Sequence, residues 1–310
     1  MFIHRSSLLA AGTLLVWMGL LTACQIGVPS PIANERIIDS FLYQLQGIDL
    51  AAIGRTCYDL IIIDYSADGG QDGAFTADQI AALSAGPGEP RIVLAYLSIG
   101  EAEDYRFYWE AGWRPGDPAW LDAENPNWSG NYKVRYWEPE WHRVVLTYLD
   151  RILNAGFDGV YLDLIDAYEY YESRGRAAAA AEMVSLVGAI GTHARVRDPD
   201  FRIVVQNAAE LVERFPDYLE LIDGIGQEDI YYGYAGDDTP TPSTVTAEME
   251  AHLDAFLAAS VLVLTIDYAE TPSHIDDAYA RSRANGYVPF VTTRDLDELI
   301  VNAGHDPCSD

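Results

Sequence analysis

The chain has 310 residues, 49% of them hydrophobic and 22% charged, with a mean hydropathy near zero, which excludes a disordered or collagen-like protein. Nineteen Lys and Arg against 48 Asp and Glu leave a formal charge of −29, and Lys133 is the only lysine, so a nucleic-acid polyanion would be repelled. The acidity itself has two readings, solubility in water or a salty exterior and attraction of a cationic substrate.

Residues 1–23 read as an address. Met1 to Arg5 form a short positive region, 8–21 is an apolar stretch short for a bilayer, and Leu21-Thr22-Ala23-Cys24 closes it. That closing box resembles a bacterial lipoprotein lipobox, which implies cleavage before Cys24, lipidation of its thiol and a lipid anchor to the membrane. Gln25 stands where an Asp would suggest inner-membrane retention, so an extracytoplasmic outer-membrane or cell-surface location is expected. A linker containing Pro29 and Pro31 runs from Cys24 to residue 35, and 36–310 is expected to form one domain.

From there one theme repeats, a short apolar run, a polar tip and a helical segment. The runs fall at 41–46, 60–64, 92–98, 159–163, 203–207, 224–228, 261–267 and 288–292, with helices expected at 77–84, 140–155, 176–197, 246–259, 274–285 and 296–303. The helix after the fifth run is the weakest, since Pro216 interrupts it. Strands separated by helices indicate parallel βαβ units, and eight in one domain predict a closed (β/α)8 barrel. Alternation within the runs at 159–163 and 261–267 groups Val160 with Leu162, and Leu262 with Leu264 and Ile266. If these apolar sets face the helices, Asp163 and Asp267 turn toward the barrel axis, and the same count turns Asp64 and Glu228 inward.

The strand ends then carry Asp64, Glu101, Glu103, Asp163, Asp166, Glu228, Asp229, Asp267 and Glu270. Acids crowded in one concavity raise one another's pKa. Paired carboxylates are what glycoside hydrolysis needs, one to protonate the leaving oxygen and one to attack the anomeric carbon or activate water. Between the third and fourth runs lie Trp109, Trp113, Trp120, Trp128, Trp137 and Trp141 with five Tyr or Phe. Most should pack this extended loop into its own small core, leaving one or two to stack on sugar rings. Cys57 and Cys308 are a disulfide candidate in an oxidising compartment, or two free thiols. The six histidines show no metal-ligand spacing, so no metal and no cofactor is expected, and GxSxG and GxGxxG signatures are absent.

The segments Tyr43-Gln44-Leu45-Gln46, Asp59 to Tyr65, Ala95-Tyr96-Leu97-Ser98-Ile99-Gly100-Glu101-Ala102-Glu103-Asp104-Tyr105-Arg106 and Gly156 to Asp163 resemble the motifs of glycoside hydrolase family 114. The resemblance implies a TIM barrel that cleaves α-1,4-linked galactosamine polymers of exopolysaccharide. Its catalytic acids lie at the ends of the fourth and sixth strands, which carry over to Asp163, as nucleophile or charge stabiliser, and Glu228, as general acid/base. Asp229 and Asp166 remain alternatives for the second acid. Asp64, Tyr65, Tyr96, Glu101, Asp166, Asn207, Asp267, Tyr268 and Arg294 are expected to line the subsites of a monomeric enzyme. A deacetylated galactosamine polymer is cationic, which agrees with the acidity. The competing expectations are a surface lipoprotein that binds carbohydrate without cleaving it, and a glycosidase of another α-linked polysaccharide.

Overall fold

The computed structural model describes residues 37–309 apart from residue 89, so the lipobox, Cys24 and the linker to residue 35 lie outside the described residues. The barrel forms one compact unit over Ile38–Asp310. Among the described residues no helix is long and apolar enough to cross a membrane.

Eight parallel strands stand in chain order, β1 Phe41–Gln44, β2 Leu60–Ile63, β3 Ile92–Ser98, β4 Gly159–Asp163, β5 Arg202–Gln206, β6 Gly224–Glu228, β7 Leu262–Tyr268 and β8 Val288–Thr292. Every sequential pair from β1 to β8 is hydrogen-bonded. β8 returns beside β1, where the Phe41 and Phe290 rings meet at 5.4 Å and Leu45 and Gln46 donate their backbone N–H to Leu296 O. The result is the expected (β/α)8 barrel.

Helices α1 Ala77–Ser84, α2 Pro139–Ala155, α3 Ala179–Arg197, α4 Ser243–Ala258 and α5 Pro272–Ala284 pack outside it. Their ends follow local chemistry. Thr76 and Gln79 form a reciprocal capping box at the start of α1, Pro139 opens α2, and Gly156, at φ 79°, ends it in the left-handed conformation. Between β5 and β6 stand only the short helices Leu211–Arg214 and Pro216–Glu220, as Pro216 foretells.

Two expectations fail. The segment 296–303 is irregular, because its polar groups are committed elsewhere. Leu296, at φ 49°, gives its carbonyl to the β1 loop, Ile300 O accepts from Tyr58, and Asn302 donates to Val291 O. Cys57 and Cys308 are nonetheless joined by a disulfide, with Cα atoms 5.0 Å apart. The facing of β7 is also the reverse of that expected. Thr265 Oγ1 bonds Ser282 Oγ of α5 at 2.7 Å, so the odd-numbered residues of β7 face the helices, and Leu264, Ile266 and Tyr268 face the barrel interior. A barrel interior is itself a packed apolar core, so apolarity does not distinguish the two faces of a buried strand.

The loop after β3 is larger than a simple excursion. Strands Glu101–Glu103, Asn131–Val134 and Leu121–Glu124 make an antiparallel sheet, backed by contacts running from Trp109 through Trp113 and Trp120 to Trp141. A second excursion after β6 pairs Tyr232–Gly233 with Gly236–Pro240 as a hairpin.

Candidate active site

The C-terminal ends of the strands open into a cleft of about 710 Å³, flanked by the sheet after β3 and by Arg294 to Leu296 after β8. Another depression, of about 750 Å³, lies outside the barrel on α2 and α3 and is lined by Leu146, Gly188, Ala189 and Val196 together with Asp150, His193 and Arg197, with His193 Nε2 2.9 Å from Asp150 Oδ1.

Asp163 and Glu228 both line the strand-end cleft, each as the last residue of its strand. Asp163 Oδ2 accepts from Tyr96 Oη at 2.6 Å and its Oδ1 from Leu164 N at 2.6 Å. Glu228 Oε2 accepts from Asn207 Nδ2 at 2.8 Å and its Oε1 from the Tyr268 hydroxyl. Asn207 is oriented in turn, since its Oδ1 accepts from Glu228 N at 3.1 Å and Gln227 Nε2 at 3.1 Å. Both carboxylates are thus held by donors on both oxygens. Burial first, and then the charge of Glu228, push Asp163 up to about 7.

The backbone bends sharply where these side chains are presented. Leu164, Asn207, Ala208 and Asp229 all adopt left-handed φ values of 57–61°, a conformation costly for residues with a Cβ and concentrated at functional sites. Gly100 makes room for one of these turns, because a Cβ there would sit 2.3 Å from Leu164 O.

The remaining acids divide into neutralised and free. Arg106, buried, donates to Asp64 Oδ1 at 2.9 Å and lies 2.7 Å from its Oδ2, while its Nε meets Glu103 Oε2 at 2.5 Å. Burial raises Asp64, and the Arg106 charge opposes it. Glu101 is bound by Lys133 Nζ at 3.0 Å and Asn125 Nδ2 at 2.9 Å. Asp64 and Glu101 therefore line the cleft as ion pairs, not as open acids. The Asp166 carboxyl lines it with no hydrogen-bond or ion-pair partner among the described residues. Enclosure first, then the charges of Glu169, Glu228, Glu210 and Glu101, push it up to about 6.

Tyr96, Asn207, Tyr268 and Arg294 line the cleft; Tyr65 and Asp267 do not. Tyr65 points outward onto Tyr148 of α2, ring centroids 4.8 Å apart. Asp267 is 1% exposed and accepts from Tyr231 N at 2.7 Å and Tyr232 N at 2.8 Å, anchoring the hairpin from the outer side of β7. Asp229 is tied to Arg294 at 2.9 Å and does not line the cleft, which leaves Glu228 as the sixth-strand acid facing it. Of the loop aromatics, Trp128 at 52% exposed and Tyr105 at 47% are the ones that line the cleft; the buried Trp120 and Trp141 belong to the loop's own core. Sequence reasoning missed Tyr43, Arg106, Asn125 and Gln206, and it named Glu103 only among the strand-end acids. A cation three residues after Glu103 in an otherwise acidic stretch was the available signal for Arg106.

The family described as glycoside-hydrolase family GH114 matches residues 28–307. A protein of Deinococcus radiodurans is 42% identical over 253 residues, 82% of this chain and 79% of that protein. Among solved structures, the glycoside hydrolase domain of PelA from Pseudomonas aeruginosa superposes with a TM-score of 0.66 at 21% identity, covering 85% of this chain and 98% of that domain. Aspergillus fumigatus Ega3, solved in complex with galactosamine, gives a TM-score of 0.64 at 17% identity, covering 89% and 100%.

Proposed function

The chain belongs to glycoside-hydrolase family GH114, and on that premise we propose that it cleaves α-1,4-linked galactosamine-containing exopolysaccharide with Asp163 and Glu228 as its two carboxylates. The observation that carries this reading is the convergence of those two side chains on one open cleft, coupled closely enough that Glu228 raises Asp163. Asp163 attacks or stabilises the anomeric carbon, while Glu228 protonates the leaving oxygen and then takes a proton from the incoming water. Tyr105 and Trp128 offer flat faces for pyranose rings. Asp166, free of any cation, is the group that pairs with a substrate ammonium. The galactosamine bound by Ega3 and the −29 charge of this chain support a cationic amino-sugar polymer over a neutral glucan. Lipidation at Cys24 then places the enzyme outside the cytoplasm, at a membrane surface where exopolysaccharide is met.

A second assignment within the pair rests on the proton. Asp163, pushed up to about 7 by burial and the charge of Glu228, is then the acid and Glu228 the attacking carboxylate. Azide rescue separates the two assignments, because azide in place of a missing nucleophile and azide attacking a stalled glycosyl-enzyme give products of opposite anomeric configuration.

The function is tested by counting new reducing ends on partly deacetylated galactosamine polymer. Asp163→Asn and Glu228→Gln should each lower kcat by about 10³-fold or more while leaving the fold intact. Full activity in both variants removes the pair from the chemistry. Polymer binding without new reducing ends would mark a carbohydrate-binding protein, and cleavage of other α-linked glycans alone would reassign the sugar.

A further inference from the structure

The geometry points to Arg294 as a positioning residue that acts on Glu228 through the ring of Tyr268. Sequence reasoning placed Arg294 among the subsite residues, but its guanidinium is already engaged. Nη2 donates to Asp229 Oδ1 at 2.9 Å and to Gly233 O at 3.0 Å, and Nε donates to Asp237 Oδ1 at 2.7 Å. These partners sit directly after β6 and in the hairpin, so one side chain from the end of β8 ties the hairpin to the strand that bears Glu228.

The same guanidinium lies 3.9 Å from the centroid of the Tyr268 ring, whose hydroxyl donates to Glu228 Oε1. Gly233 closes in on that ring from the hairpin. At φ +118°, a Cβ there would lie 2.1 Å from Asp229 Oδ1, 3.0 Å from Arg294 Nη2 and 3.1 Å from Tyr268 Cδ2. The Tyr268 ring therefore packs against both a cation and a backbone that admits only glycine. A cation over the ring makes the phenol a stronger donor, and a stronger donor favours the ionised carboxylate.

Around Glu228 the other charged or titratable groups are the acids Asp163, Asp166 and Asp229 and the phenols Tyr43, Tyr161 and Tyr268. Arg294 brings positive charge to both Tyr268 and Asp229. Removing it leaves Glu228 facing acids and a weaker donor, so Glu228 should hold its proton to higher pH.

This inference rests on Glu228 being one of the catalytic pair, and its test keeps the two claims apart. The side-chain carboxyl ¹³C titration of Glu228, assigned by its loss in Glu228→Gln, needs no substrate. In Arg294→Met the midpoint should rise by at least about half a unit, and Tyr268→Phe should raise it as well. The double variant should go no further than the larger single change, since both act along one path. On galactosamine polymer, Arg294→Met should lower kcat about tenfold or more with KM within about twofold, and the pH limb belonging to Glu228 should move with the ¹³C midpoint. Arg294→Lys keeps the charge without the planar stack or the three-way bridge; it should show a smaller midpoint shift, and it carries the test if Arg294→Met does not fold. An unmoved midpoint in folded Arg294→Met, or strict additivity with Tyr268→Phe, overturns the inference. Failure of Glu228→Gln to lose activity would instead overturn the proposed function while leaving the titration result standing.

Discussion

Asp163 and Asp267 are each pushed up to about 7 with burial as the leading cause, yet one faces the cleft and the other anchors a hairpin from behind. A carboxyl whose folded pKa lies above its unfolded value binds more protons in the native state across about pH 4 to 7. Stability therefore falls as pH rises through that window and stays low above it. Replacing either acid by a neutral isostere should stabilise the protein at pH 8, on the order of 1–2 kcal/mol after allowance for residual solvent, and have little effect at pH 4. Melting curves at the two pH values should show Asp163→Asn and Asp267→Asn both a few degrees higher at pH 8. Only Asp163→Asn should lose hydrolysis, because an Asn at 267 can still accept from Tyr231 N and Tyr232 N. An inactive but folded Asp267→Asn would contradict its outward placement. The position of Asp163 and Glu228 at the cleft ends of their strands was legible in the sequence because each closes a strand run, and Asp163 also ends a segment that resembles the family motif. Arg106 was signalled only by its place three residues after Glu103, since a linear stretch does not say that such a cation will fold back under Asp64, 42 residues earlier, and pair with two cleft acids.

At the level of strands, apolar runs set off by helices located all eight to within about two residues, because sheet strands buried on both faces leave continuous Val, Ile and Leu runs. That same double burial hid which face of β7 is inward. The helix expected at 296–303 failed for a different reason, since its carbonyls are claimed by partners in β1's loop and by Tyr58, contacts invisible to periodicity. The interior itself imposes a local demand that only the assembled barrel reveals. Tyr161 on β4 reaches across to β6, where a Cβ on Gly226 would lie 2.0 Å from its hydroxyl and 2.8 Å from Cζ. Tyr161 Oη has no hydrogen-bond partner among the described residues. Gly226→Ala should therefore destabilise by about 1–3 kcal/mol through overpacking, read by urea denaturation. Tyr161→Phe removes a buried, unpaired hydroxyl and should be near neutral alone. In the double variant it should recover part, but not all, of the loss, because the ring carbon still crowds the new methyl. Full additivity of the two changes would mean that the residues do not share this space.

For the whole molecule, one disulfide and one charge imbalance pull in opposite directions. The bond from Cys57 to Cys308 closes a loop of 251 residues in sequence separation, and in the chain-entropy model it removes up to about 5 kcal/mol of unfolded-state freedom. Reduction, or Cys308→Ser, should lower the melting temperature by several degrees or more; an unchanged transition would mean that the staple constrains little. A net charge of −29 works against compactness through self-repulsion, and the same field draws a cationic polymer toward the cleft. Added salt shortens the reach of that field from about 10 Å at 0.1 M to about 3 Å at 1 M. Stability and catalysis should then answer salt with opposite signs. Between 0.05 and about 1 M NaCl the melting temperature should rise, most clearly in the reduced protein, while kcat/KM on deacetylated galactosamine polymer should fall about tenfold or more. On a fully N-acetylated polymer of the same length, which has no ammonium to attract, kcat/KM should be nearly flat over that range. If both polymers respond alike, the acidity serves the solubility of the protein and not the capture of its substrate.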